Sequence, residues 1–144
     1  MKRHEALAPL SREHHGTLIL AQLLKKGAPE YKGMPGTDKD KASYALNQFK
    51  KIIKEHFEKE ELVLEKAWDC DKAVNDLITE IKNEHQQLTT LFLSLNGITK
   101  LEDKLDELGS MLEAHIRKEE RVLFPLLQEH CSEDVLQQIH IVLH

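Results

Sequence analysis

At 144 residues the chain is long enough to build a core that needs no disulfides. A formal net charge of -5 and a pI near 6.0 leave no basic surface suited to a polyanion, so nucleic acid is excluded as an expected partner. Sparse Pro, Gly and aromatics, with abundant Leu, Glu, Lys and Gln in helical periodicity, predict an all-α protein.

In chain order, Pro9-Leu10-Ser11 predicts a helix start with Ser11 as N-cap, and the first helix runs from about Arg12 to Lys26, stopped by Gly27. It carries adjacent histidines, His14 and His15, of which only one can face a core. Gly16 is expected to let another backbone or a small ligand approach. Gly27, Pro29, Gly33, Pro35 and Gly36 make residues 27–40 a surface connection. Thr37 or Asp38 then caps a second helix, from about Asp40 to Lys66. Trp68-Asp69-Cys70-Asp71 reads as a turn, with Asp71 capping a third helix that reaches about Leu95 and is closed by Asn96-Gly97. Thr99 and Glu102 have capping-box form for a fourth helix, continuing to about Phe124, where Pro125 kinks or ends it. Ser132 caps a short last helix through Val135, Leu136, Ile139 and Val142, expected on the bundle exterior.

Amphipathic helices with mostly short connections predict an antiparallel up-down-up-down four-helix bundle with a short extra C-terminal helix. The expectation is a single domain, 1–144, with its core in about 10–128 and 129–144 appended. Cys70 and Cys131 have neither CxxC nor Cys/His zinc spacing, which predicts reduced thiols and a cytoplasmic protein. No apolar stretch follows Met1-Lys2-Arg3-His4-Glu5 and no run approaches spanning length, so no membrane partner is expected.

The chemistry lies in a repeated pattern. His56-Phe57-Glu58-Lys59-Glu60-Glu61-Leu62-Val63-Leu64 and His115-Ile116-Arg117-Lys118-Glu119-Glu120-Arg121-Val122-Leu123 both read His-x-x-x-Glu-Glu-x-Val-Leu. On a helix, His and Glu four apart differ by only about 40° and project from one face. That face is apolar: Leu101, Leu105, Leu108 and Leu112 precede His115 and Val122 and Leu126 follow Glu119, while Phe49 and Ile52 precede His56 and Val63 follows Glu60. A carboxylate buried there must be satisfied from inside, and a metal ion does so.

The third helix repeats the predicament, because His85 interrupts the stripe Ile78, Ile81, Leu88, Phe92, Leu95. Its surroundings give a template: Glu84 at −1, with Ile81, Phe92 and Leu95 at −4, +7 and +10. Around His14 the same offsets hold Glu13, Leu10, Ala21 and Leu24, whereas His15 has Gln22 and Lys25 at +7 and +10. His14 is therefore preferred, with His15 as the alternate. The chain reads as two copies of one helical hairpin, each offering a histidine from its first helix and His-x-x-x-Glu from its second.

One histidine on an apolar face is ordinarily a hydrogen-bonded core residue; four at mutually consistent positions reverse that reading. The expected metal ligands are His14, His56, Glu60, His85, His115 and Glu119. Imidazole with carboxylate suits iron, manganese or zinc, and six protein donors fit two ions better than one. Glu61 and Glu120 lie about 140° from their histidines and are expected at the boundary or supporting the ligands. Glu58, His4, His130, His140 and His144 are expected at the surface, and Trp68, Tyr31 and Tyr44 in packing or loops.

Carried by Glu13-His14-His15, His56-x-x-x-Glu60, Asn83-Glu84-His85 and His115-x-x-x-Glu119, the chain resembles hemerythrin-like, HHE cation-binding domains over about residues 10–128. That resemblance implies a four-helix bundle holding two non-haem iron ions with an oxo or hydroxo bridge. Glu60 and Glu119 would then bridge, and the histidines would be terminal ligands. Zinc, manganese or nickel in place of iron is compatible with the same donors. Oxygen-carrying members have a second histidine one turn from the third-helix ligand, where this chain has Ile81 and Thr89, and an Asp five residues after the last histidine, where it has Glu120 beside the better-facing Glu119. The expectation is a metal-binding protein that binds or senses oxygen, nitric oxide or peroxide. The alternatives are a di-iron oxidoreductase or iron-handling protein, and a regulatory bundle with incidental metal.

Overall fold

Most helices start where the chain supplies a cap or a proline. The computed structural model describes residues 2–96 and 99–144, and among these no strand occurs. Helix α1 spans Ala8–Leu24, with Pro9 in its first turn, and Gly27 beyond it adopts φ 73°. It begins earlier than expected, and Ser11 is no cap: its hydroxyl donates to Glu120 Oε2 at 3.1 Å. Thr37 caps α2, Asp38–Gln48, accepting from the Asp40 amide at 3.1 Å. A π-turn, Phe49–Ile53, joins α2 to α3, Lys54–Ala67. Asp71 caps α4, Lys72–Leu93, as expected. The Gly97 half of the expected stop lies outside the described residues.

The fourth helical stretch departs further from expectation. Helix α5, Leu101–Lys118, follows Lys100 in the left-handed region at φ 62°, with no side-chain cap, so the Thr99 capping box does not form. A second π-turn, Glu119–Leu123, leads to α6, Phe124–His130. Pro125 does not end the helix. It sits in the first turn of α6, immediately after the wider π-turn, where a missing N–H and a bulky ring are accommodated without a break. Ser132 caps α7, Glu133–Leu143, accepting from Val135 N at 3.2 Å.

The π-turns correct both apolar stripes by one residue. Each inserts an extra residue per turn, with Lys54 N bonded to Phe49 O and Phe124 N to Glu119 O. Ile53 and Leu123 therefore face inward, while Ile52 and Val122 are half exposed. Downstream, Leu127 is buried and Leu126 only partly so.

Packing makes two apolar clusters with a polar layer between them. One holds Leu20, Phe49, Phe57, Leu88, Phe92, Leu105 and Leu112; the other holds Leu10, Val63, Leu64, Ile81, Leu123 and Leu127. Leu136 and Ile139 anchor α7 in the second cluster. His14, His56, His85 and His115 each fall between a residue of one cluster and a residue of the other along their own continuous helical stretch. The close helix approach lies at Gly109, where a Cβ would stand 2.7 Å from the Ala21 carbonyl oxygen; at Gly16 no other backbone comes near, and a Cβ would meet open space.

Candidate metal centre

Four helical stretches deliver the polar layer: His14 from α1, His56 and Glu60 from α3, His85 from α4, His115 from α5, and Glu119 from the head of the second π-turn. Each of the six is 4 % exposed or less. His15, the alternate, is exposed.

Glu60 is the hub. Its Oε2 lies 3.2 Å from both His14 Nε2 and His56 Nε2, and its Oε1 lies 3.0 Å from His85 Nε2. Glu119 Oε1 is 3.0 Å from His115 Nε2 and 3.4 Å from His14 Nε2. The rings pair off, His14 with His56 at 4.8 Å between centroids and His85 with His115 at 4.9 Å. Two sets of donor atoms can each surround an ion: His14, His56 and Glu60, and Glu60, His85, His115 and Glu119. Glu60 belongs to both.

A metal fits the hydrogen-bonding state of these donors. His56 Nε2, His115 Nε2 and both carboxylate oxygens of Glu119 are buried without any hydrogen-bond partner. The nearby oxygens of the same layer are within ion-pairing distance but not aligned for a hydrogen bond. Orphaned polar atoms cost free energy unless something else takes their lone pairs. With nitrogen and carboxylate oxygen and no thiolate, the donors suit iron, manganese or zinc.

The outward Nδ1 atoms are held by four further carboxylates in a symmetric scheme. His14 Nδ1 meets Glu120 at 2.7 Å and His85 Nδ1 meets Glu61 at 3.3 Å; each partner follows a candidate ligand, Glu119 or Glu60. His56 Nδ1 meets Glu13 at 3.1 Å and His115 Nδ1 meets Glu84 at 2.7 Å; each partner precedes a histidine, His14 or His85. A carboxylate on Nδ1 fixes the ring and leaves Nε2 free to bind metal. The sequence carried the signal in its adjacent pairs, Glu13-His14 and Glu84-His85, but Glu13 and Glu84 served there only as markers of register.

Electrostatics follow the crowding of carboxylates. Burial opposes charge on His14, but Glu119, Glu120 and Glu60 outweigh it and push its pKa up to about 12. His115 is likewise raised against burial to about 10 by Glu119 and Glu84, and His56 is raised by Glu60. Burial raises Glu60, yet His56, His14 and His85 together hold it well below the usual carboxylate range.

Aromatic rings close the layer from both sides: Phe57 stacks on His85 at 4.2 Å between centroids and Phe124 on His14 at 5.7 Å. Beyond Phe57, a groove of about 570 Å³ between α3 and α4 reaches His85, lined also by Phe49, Glu61, Thr89 and Leu93. Behind His14 the chain is covered. Arg3 donates to Glu120 Oε2 at 2.9 Å and to its carbonyl oxygen at 2.7 Å, and lies over the Phe124 ring.

Among the described residues no helix is long and apolar enough to cross a membrane. No curated protein and no solved structure matches the chain. A family model does: that of the hemerythrin HHE cation binding domain matches residues 5–134, nearly the whole chain, and the protein belongs to that metal-binding family.

Proposed function

We propose that His14, His56, Glu60, His85, His115 and Glu119 hold a pair of non-haem iron ions, and that the protein binds or senses a small molecule of the oxygen, nitric oxide or peroxide class. The observation that carries the reading is the set of four buried, unpartnered donor atoms on His56, His115 and Glu119 in the same layer as the shared Glu60. When bound, two iron ions supply redox-active positions for such a molecule. The residues do the rest: Glu60, reached by imidazoles of both halves, is the donor suited to link the two positions. Glu13, Glu61, Glu84 and Glu120 fix the rings, and Phe57 and Phe124 keep bulk water off the layer.

Anaerobic ferrous loading followed by elemental analysis and an ultraviolet-visible spectrum after oxidation tests this. About two irons per chain with the bands of a bridged ferric pair are expected, both lost in His56→Ala and His115→Ala. Protein that stays metal-free after loading would overturn it. A second reading, a di-iron oxidoreductase, is favoured by the groove at His85, whose volume of about 570 Å³ exceeds what a diatomic molecule needs. Repeated turnover of peroxide or an organic reductant, rather than stoichiometric uptake, separates the two.

A further inference from the structure

The two cysteines, far apart in sequence, come together at one corner of the bundle. Cys70 lies in the turn between α3 and α4, and Cys131 at the junction of α6 and α7. Both pack in the apolar cluster that also holds Leu64, Ala67, Val74, Leu127 and Leu136. Their chain neighbours meet as well, His130 Nδ1 standing 3.9 Å from Asp71 Oδ1. Neither thiol belongs to the metal layer, and both are free.

The corner is held firmly. Asp69 takes φ 74°, and its amide and carboxylate both bond to Asn75, at 2.8 and 3.2 Å. The Cys70 amide bonds to Ala67 O and the Cys131 amide to Leu127 O, so Cys70 sits in the turn that closes α3 and Cys131 directly follows the last turn of α6. Burial, with a contact from Cys70, pushes the Cys131 thiol up to about 12. Cys70 is partly exposed and Cys131 is 7 % exposed. The pair thus has one accessible member and one shielded member.

We propose that Cys70 and Cys131 form a reversible intramolecular disulfide by exchange with a low-molecular-weight disulfide, clamping the α3–α4 corner to the α6–α7 corner. Cys70 gives its proton to solvent and its thiolate attacks one sulfur of the small disulfide. That S–S bond breaks, the first small thiol leaves as thiolate and takes up a proton, and a mixed disulfide stands at Cys70. Cys131, also losing its proton to solvent, attacks the Cys70 sulfur and expels the second small thiol. Two protein thiols are oxidised by two electrons and one small disulfide is reduced to two thiols, with no net proton change. The buried position of Cys131 orders the steps, because a small disulfide reaches Cys70 first and Cys131 afterwards resolves the adduct.

The test is anaerobic equilibration of the full chain in a buffer of glutathione and glutathione disulfide, followed by acid quench, alkylation and intact-mass and peptide analysis. Oxidised protein is expected to lose two hydrogens, to escape alkylation at both cysteines, and to yield a Cys70–Cys131 linked peptide that dithiothreitol separates. Its thermal midpoint should rise by roughly 10 °C, since the bond closes a long loop in the unfolded chain. Cys131→Ser should trap glutathione on Cys70, and Cys70→Ser, at the more exposed position, should give neither adduct nor disulfide while keeping its helical circular dichroism. Alkylation of both thiols at every poise, a glutathione adduct that persists on Cys70 of the unaltered chain, or disulfide-linked dimers would each overturn the proposal. Should Cys131→Ser fail to fold, the linked peptide of the unaltered chain decides alone.

Discussion

The half of the centre built on His14 and His56 and the half built on His85 and His115 share one design, and His14 of the one differs from His85 of the other in cover. In both, each imidazole presents Nε2 inward and rests Nδ1 on a glutamate. Around His14, that glutamate is itself pinned: Glu120 accepts from Arg3 and Ser11 and is 25 % exposed. Around His85, Glu61 is 41 % exposed, and the groove between α3 and α4 opens beside it. Duplicated helical hairpins thus supply equivalent donors, while the cover over His14 and over His85 differs. The amino-terminal stretch seals one side; Thr89 leaves room on the other.

Removing what the halves share has the largest expected effect. Glu60→Ala deletes the carboxylate that both rings of one half and His85 of the other approach, so bound metal should fall from about two ions per chain to fewer than one, measured by elemental analysis after anaerobic loading. In the metal-free chain the raised imidazoles lose their counter-charge, at a cost of about 3 kcal/mol by denaturant unfolding. A variant that kept both ions would refute the shared role of Glu60.

Proton linkage should separate metal-free from metal-loaded protein next. In the metal-free chain the folded-state pKa values of His14, about 12, and His115, about 10, lie above the unfolded value of 6.5. Their contribution is complete below about pH 6.5 and is lost as pH rises toward and through the folded values, by up to about 1.4 kcal/mol per pH unit for each. Metal needs those nitrogens unprotonated, so loading should release protons and tighten as pH rises. Thermal midpoints between pH 6.5 and 9 are therefore expected to fall without metal and to rise with it. Parallel slopes would break the assignment.

The supporting glutamates test the asymmetry itself. Glu120→Gln removes a carboxylate 2.7 Å from His14 and the charge that Arg3 pairs with, and should weaken metal binding by roughly 10- to 100-fold. Glu61→Gln removes a more exposed carboxylate 3.3 Å from His85 and should cost several times less. Competition against a chelator of known affinity measures both, and equal losses would mean that cover does not matter.

The bundle and the six inward residues were legible because His and Glu stood where helical periodicity demanded apolar residues. His14 rather than His15 followed from the same periodicity. What escaped was anything that breaks the α-helical period: the π-turns at Phe49–Ile53 and Glu119–Leu123 shift the register by one, exchanging Ile52 for Ile53 and Val122 for Leu123. Contacts between distant segments also left no periodic trace. Arg3 on Glu120 and Cys70 beside Cys131 are products of tertiary packing, and Ser11 was drawn from a cap position to Glu120 by the same packing.

The smallest expected effect, and the one that bears most directly on access, comes from filling the groove. Thr89 lines it one turn beyond His85, and its hydroxyl donates to the His85 carbonyl oxygen at 2.8 Å. Thr89→Phe puts a ring into the space beside Phe57 and replaces none of the candidate ligands, so metal content should stay unchanged. The rate at which iron-loaded protein takes up nitric oxide should fall several-fold. Gly16 lies on α1, away from that groove, and faces open space, so Gly16→Ala should leave that rate as it is. If instead Thr89→Phe reacts at the original rate, small molecules reach the layer by another route, and the exposure of Glu61 reflects only its position at the bundle surface.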